Sequence, residues 1–136
     1  MSGFAGAREF PEGTRTAQDA ATAIGCTVGQ IVKSLVFVRG DEPVLVLCSG
    51  ANTVDAERLG LAKADAAVVR EATGFAIGGV PPLGHDRPLP KVVDESLRRL
   101  GILWCAAGTP HTVFSVETER LLAALPDATV ADVTEG

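Results

Sequence analysis

Ile31-Val32-Lys33-Ser34-Leu35-Val36-Phe37-Val38 is an apolar run with a single lysine inside it. At a two-residue period Ile31, Lys33, Leu35 and Phe37 share one face, and Val32, Ser34, Val36 and Val38 share the other. Both faces are largely apolar, which predicts a strand covered on both sides. A lysine there must snorkel out, find a partner, or sit in a cleft that uses its charge. Lysines also guard sheet edges without doing any chemistry, so the run by itself leaves both roles open.

Outward from this run the chain alternates between strand and helix patterns. Upstream, Ala17, Ala20, Ala21 and Ile24 form a helical stripe that Thr16 can cap and Gly25 can stop. Downstream, the turn Gly40–Pro43 leads into Val44–Cys48, a second strand joined so tightly that an antiparallel hairpin is expected. Asn52 or Thr53 can cap a short helix through Leu59, and Asp65 a second one carrying Val68, Val69, Ala72 and Phe75, with Gly74 near its end. Ile77 to Gly84 is a constrained glycine–proline loop. Leu89–Val93 is a strand whose prolines, Pro88 and Pro90, place its start at an edge. Asp94 caps a helix with Leu97 and Leu100, closed by Gly101. Ile102–Ala106 and Thr112–Val116 are strands on either side of the turn Gly108–His111. A last helix with Leu121, Leu122 and Leu125 precedes a closing strand, Thr129–Val133. Hairpins mixed with helices predict an α+β fold, with a mixed sheet rather than a doubly wound parallel one.

The bulk numbers agree with one domain over residues 1–136, with 1–13 as a loosely attached lead-in. Of 136 residues, 46% are hydrophobic and 21% charged, enough for a real core. Aromatics are 4% and tyrosine is absent, so Val, Leu, Ile and Ala must fill that core. No apolar run approaches the roughly 18 residues that span a bilayer, and no hydrophobic signal core precedes the first helix. A cytoplasmic protein without a membrane partner is expected. The three cysteines, Cys26, Cys48 and Cys105, are far apart and read as reduced, mostly buried thiols. No metal motif is present, so neither metal nor cofactor is expected. A net charge of −5 argues against broad binding to a nucleic-acid backbone and leaves only local contacts.

Two constellations can carry chemistry. One is Lys33. The other is Gly78-Gly79-Val80-Pro81-Pro82, in which the glycines let backbone N–H groups approach a ligand and the prolines stiffen the chain. Such donors suit a carbonyl or a developing oxyanion, though an ordinary tight turn reads the same way. His85 and His111 can act as acid or base, but no G-x-S-x-G nucleophile motif accompanies them. Asp94 reads first as an N-cap. Ser34 points to the face opposite Lys33 and would share its cleft only through a bulge.

Taken together, Gln30-Ile31-Val32-Lys33-Ser34-Leu35-Val36-Phe37, Thr73-Gly74-Phe75-Ala76-Ile77-Gly78-Gly79-Val80-Pro81-Pro82-Leu83-Gly84, Asp94-Glu95-Ser96-Leu97, Ala107-Gly108 and Leu121-Leu122 resemble the YbaK/ProX family over about residues 14–133. That family comprises free-standing aminoacyl-tRNA deacylases and the editing domain of bacterial prolyl-tRNA synthetases. The resemblance implies a mixed, mostly antiparallel sheet with a barrel-like centre, flanked by helices. It also implies hydrolysis of the ester of a mischarged tRNA, with tRNA(Pro)-type substrates. Lys33, Gly78 and Gly79 would be catalytic, and Val80, Pro81, Pro82, Ser34, Asn52, Gly108 and His111 would bind substrate. Arg87 and Lys91 are candidate phosphate contacts. The partners implied are the tRNA acceptor end and prolyl-tRNA synthetase, for a monomer or homodimer. The cysteine-specific branch uses a tyrosine near its N-terminus and an aspartate in the late strand, and this chain has neither. The alternative reading is a non-catalytic relative that binds tRNA or a synthetase and regulates.

Overall fold

The lysine-bearing run is the longest strand of the computed structural model and lies at the centre of its sheet. The structure describes residues 17–75, 80–82, 89–106 and 113–134, and the backbone of 7–9 and 112. Strands β1 (Ala7–Glu9), β2 (Ile31–Arg39), β3 (Glu42–Ser49), β4 (Ala62–Lys63), β5 (Lys91–Asp94), β6 (Ile102–Ala106), β7 (Thr112–Glu117) and β8 (Thr129–Ala131) form one sheet. Its order is β1-β7-β6-β2-β3-β5-β8, with β4 as a second neighbour of β2. The fold is a single α+β domain with a mixed sheet. Antiparallel pairs are β1·β7, β2·β3, β2·β4 and β6·β7; parallel pairs are β2·β6, β3·β5 and β5·β8.

The β2–β3 hairpin is the expected one, in the register Lys33↔Cys48 and Phe37↔Val44. Val44, Leu45, Val46, Leu47 and Cys48 are all fully buried, because β3 is paired on both edges and packed on both faces. Side-chain burial of this kind stabilises by about 1.5–3 kcal/mol per large aliphatic residue. On one face Val32, Val36, Leu45 and Leu47 pack with Val69 and Ala72 of helix α2 (Ala66–Thr73) and with Leu121 of helix α3 (Thr118–Ala123). On the other, Phe37, Val44, Val46 and Cys48 pack with Leu61 and Val133. Helix α1 (Ala17–Ile24) lays Ala20 and Ala21 against Ile31.

Local signals account for most boundaries. The Asp65 carboxylate accepts from Val68 N at 2.9 Å as the N-cap of α2, and Gly74 ends that helix at φ +82. Thr73 Oγ1 then donates to Val69 O at 2.8 Å and accepts from Phe75 N at 3.0 Å, which fixes how the chain leaves the helix toward the glycine–proline loop.

Several expectations need correcting. Residues 7–9, read as part of a loose lead-in, are a strand paired with β7 (Ala7↔Phe114). The expected helix from Asn52 to Leu59 is a series of turns. Val54 there bridges to Thr134, and the Arg58 guanidinium, which donates to Asp132 O and Thr134 O at 2.8 Å each, ties the segment to the C-terminal strand. The segment after Asp94 is a 3-10 turn, Glu95–Arg99, rather than a full helix. β5 is internal, between β3 and β8; Pro90 precedes it and contributes only its carbonyl, which accepts from Leu45 N at 2.9 Å. Thr16, the expected cap of α1, lies outside the described residues.

Candidate functional site

The site is built where β2 is left partly unpaired. β6 pairs with β2 only at Ile31 and Val32, and β4 only at Phe37 and Val38. Among the described residues nothing pairs with that edge of β2 between them. The direction of the free groups follows from one hydrogen bond, Gly50 N to Ile31 O at 2.6 Å, which turns Ile31 toward β3. Backbone groups alternate sides along a strand in an antiparallel ladder. Lys33, Leu35 and Phe37 therefore also face β3, while the N–H and C=O groups of Ser34 and Val36 face the gap.

A cavity of about 720 Å³ occupies this gap, and it is lined from both faces of β2. Lys33, Leu35 and Phe37 line it from one face and Val32, Ser34 and Val36 from the other. The cavity wraps around the free edge, so Ser34 shares it with Lys33 without any bulge. α1, Gly50, Trp104 and Val80 complete the wall. Ser34 Oγ is buried there without a hydrogen-bond partner among the described residues.

Lys33 is half-buried, and its ammonium donates to the backbone carbonyl of Asn52 at 2.5 Å. Behind that carbonyl is a polar network. The carboxylate of Asp94, 0% exposed, accepts at Oδ2 from Asn52 Nδ2 at 2.9 Å and Ser49 N at 3.1 Å, and at Oδ1 from Ser96 N at 2.9 Å. Asn52 Nδ2 also donates to Ser96 Oγ at 3.1 Å. Burial pushes the Asp94 pKa up, but the donors from Asn52, Ser96 and Ser49 outweigh it and hold the acid below the ordinary carboxylate value. Cys48, opposite Lys33, points its thiol at Asp94 Oδ2 (3.6 Å) and is raised to about 12. Its burial is the main cause; Lys33 opposes it, and the charge and hydrogen bond of Asp94 reinforce it. At neutral pH it is a thiol, not a nucleophile.

Val80 is 2% exposed, lines the cavity and packs in the core, and Pro81 and Pro82 beside it are buried. Asn52 contributes its carbonyl to Lys33, while its side chain is committed to Asp94 and Ser96. Lys91 is half-buried and donates to Leu89 O at 3.2 Å, with burial lowering its pKa against the opposing charge of Asp127. Gly78, Gly79, His85, Arg87, Gly108 and His111 lie outside the described residues. Among the described residues no three His, Cys, Asp or Glu side chains come together as a metal site, and no helix is long and apolar enough to cross a membrane.

Sequence reasoning missed the Asp94–Asn52 link, since the two are 42 positions apart and only the parallel β3·β5 pairing brings them together. It also missed Gly50 and Lys63. Lys63, on β4 opposite Phe37, is exposed at the cavity rim. Lys33 and Lys63 are the charged side chains among the described lining residues; no carboxylate lines the cavity there. The arrangement offers an ammonium held by a main-chain carbonyl, strand-edge backbone donors and a buried Val80 in the wall. Such a site can bind an anionic or carbonyl-bearing ligand and stabilise charge that develops on oxygen.

Comparison with known proteins is consistent with that chemistry. The family model described as "Aminoacyl-tRNA editing domain" matches residues 11–124. An uncharacterised protein of Bacillus subtilis (strain 168), YwhH, is 32% identical over 123 residues, covering 83% of this chain and 76% of that protein. A proline–tRNA ligase of Lactobacillus helveticus (strain DPC 4571) is 30% identical over 116 residues, which is 80% of this chain but 20% of the ligase. A crystal structure of a protein proposed to be a trans-editing enzyme for prolyl tRNA synthetase superposes with a TM-score of 0.87 at 51% identity, covering 96% of this chain and 86% of that one.

Proposed function

The chain belongs to the aminoacyl-tRNA editing domain family, and from that membership we propose that it is a trans-editing deacylase. It would hydrolyse the ester between a wrongly attached amino acid and the 3′ end of a tRNA, with tRNA(Pro)-type substrates the first choice. The observation that carries this reading is the position of Lys33: a cation held by a main-chain carbonyl at the wall of a cavity large enough for an aminoacyl group and part of its nucleoside.

In this reading a water molecule attacks the ester carbonyl. Negative charge develops on the carbonyl oxygen, and the ammonium of Lys33 stabilises it together with backbone N–H groups of the Gly78–Pro82 loop. The carbonyl carbon–O3′ bond breaks, the ribose oxygen leaves with a proton, and the free amino acid and intact tRNA are released. No protein nucleophile is needed, in keeping with a Cys48 thiol raised to about 12. Ser34, Val80, Pro81 and Pro82 would contact the aminoacyl group, with Gly108 and His111 as further substrate contacts. Prolyl-tRNA synthetase is the candidate protein partner.

A deacylation screen against mischarged tRNAs, chiefly alanyl- and cysteinyl-tRNA(Pro), tests the proposal. Release of amino acid from at least one member, abolished by Lys33→Met, is the expected result. Tight tRNA binding without hydrolysis of any member would overturn it in favour of a binding-only regulatory role.

A further inference from the structure

We propose that Asp94 and Asn52 are positioning residues for Lys33: a buried carboxylate orients the Asn52 turn, and the turn's carbonyl aims the ammonium into the cavity. The inference rests on the deacylase reading for its consequence, but the geometry stands without it. Each link is a direct contact in the structure. Asp94 Oδ2 receives Asn52 Nδ2 at 2.9 Å, and Asn52 O receives Lys33 Nζ at 2.5 Å. The turn between them is closed by Asn52 N to Ser49 O at 2.9 Å, and Ser49 N is itself held by Asp94 Oδ2 at 3.1 Å. Ser49 Oγ donates to Gly29 O at 2.8 Å, which ties the turn to the segment that enters β2. One carboxylate thus fixes both ends of the four-residue turn whose last carbonyl faces Lys33.

Capping the 3-10 turn needs an acceptor for Ser96 N, which asparagine or serine supplies as well as aspartate. Burying an ion is costly unless it is fully hydrogen-bonded or faces an opposite charge. Asp94 makes no ion pair among the described residues, and Cys48 lies within electrostatic range of both it and Lys33. Asn52 is the spacer between the buried carboxylate and the half-buried ammonium: its side-chain amide donates to the acid and its backbone carbonyl accepts from Lys33. That spacer keeps the ammonium from closing directly onto the acid. A direct ion pair would pull Lys33 out of the cavity, whereas a carbonyl acceptor leaves two of its three N–H groups for a ligand.

The test uses Asp94→Asn, with Asn52→Ala as a second variant that removes the amide link and leaves the acid in place. Two readouts are taken on the full chain. The first is steady-state deacylation, where a misaimed ammonium lowers kcat about 10- to 100-fold with KM changed by less than about threefold. The second is the ¹⁵Nζ ammonium resonance of Lys33, identified by its loss in Lys33→Met. It is expected to be sharp in the parent protein and broadened by water exchange in both variants, while the backbone amide spectrum keeps its dispersion. A folded variant that keeps the Lys33 resonance sharp, or keeps full kcat, overturns the proposal. If Asp94→Asn does not fold, Asn52→Ala decides it by the same criteria. A parent protein inactive on every tRNA, with the resonance still lost in the variants, upholds the positioning and removes the deacylase reading instead.

Discussion

Replacing Lys33 with methionine separates chemistry from packing. Methionine keeps an unbranched stem of similar length, so the side-chain packing along β2 is preserved and only the ammonium is lost. The structural loss is one charge-assisted hydrogen bond to Asn52 O, a class worth about 1.5–3 kcal/mol. Against it stands the relief of desolvating a half-buried cation, which offsets much of that figure. The net change in stability is expected to be about 1 kcal/mol, a few degrees in Tm for a chain of this size. The catalytic loss is larger. Removing one preorganised group that stabilises a developing oxyanion costs about 10²–10³ in rate, or ~2.7–4 kcal/mol. The assay is single-turnover release of amino acid from mischarged tRNA, run beside a thermal melt of the same sample. Activity within tenfold of the parent would refute the role of the ammonium. A melting loss matching the lost activity would show that Lys33 is a structural residue.

Four further outcomes are expected. Gly50→Ala places a Cβ against the Val28 carbonyl and 2.8 Å from Ala17 Cβ, so the Val28 turn and α1 must shift at the cavity wall; a stability loss of ~1–3 kcal/mol with weakened substrate binding is expected, and an unchanged melt would count against it. Asp94 is held below its ordinary pKa, so its stabilisation is complete above about pH 4 and is lost as the pH falls through the folded value. Acid-unfolding curves should be steeper below about pH 4 for the parent than for Asp94→Asn, and parallel curves would refute the assignment. Cys48 and Cys105, both raised to about 12 by burial, should resist maleimide at pH 7.5 in the native protein and react on unfolding; mass spectrometry reads the count. Lys63→Gln should weaken tRNA binding and reduce the slope of log K against log salt by about 0.7, with hydrolysis of a phosphate-free aminoacyl-nucleoside unchanged; an unaltered slope removes Lys63 from the interface.

The parts legible in the sequence were those written in local pattern. The β2–β3 hairpin, α2 with its Asp65 and Gly74 caps, and the two late strands follow from periodicity and punctuation, and a lysine in an apolar strand was visible as an anomaly. The parts that were not legible depend on pairing at a distance. Ala7-Arg8-Glu9 has no strand pattern of its own and becomes β1 only because β7 offers an edge. Asn52 looked like a helix cap because its side chain suits one, but Asp94 claims that side chain and Val54 bridges to Thr134 instead. Ser34 does stand on the face opposite Lys33, but alternation describes faces and says nothing about a gap in the edge, through which both line one cavity. Both faces of β2 reach one cavity because β6 and β4 stop short of each other, a fact of tertiary pairing alone.

The distribution of charge then explains how an acidic chain can receive an anionic ligand. With 17 acidic and 12 basic residues, the protein repels a phosphate backbone on average. The described cavity wall reverses that sign locally, with Lys33 inside and Lys63 at the rim, and the acid linked to Lys33 through Asn52 is not among its lining residues. Asp94 is fully buried behind Asn52, and its oxygens are occupied by donors from Ser49, Asn52 and Ser96. A ligand therefore meets the ammonium and not the carboxylate that anchors it. On the deacylase reading, repulsion elsewhere would confine a tRNA to its acceptor end, and the contrast between surface and cavity would steer that end to Lys33. On that reading, specificity for the terminus would need no extended basic surface, only a well-held cation in a largely apolar wall.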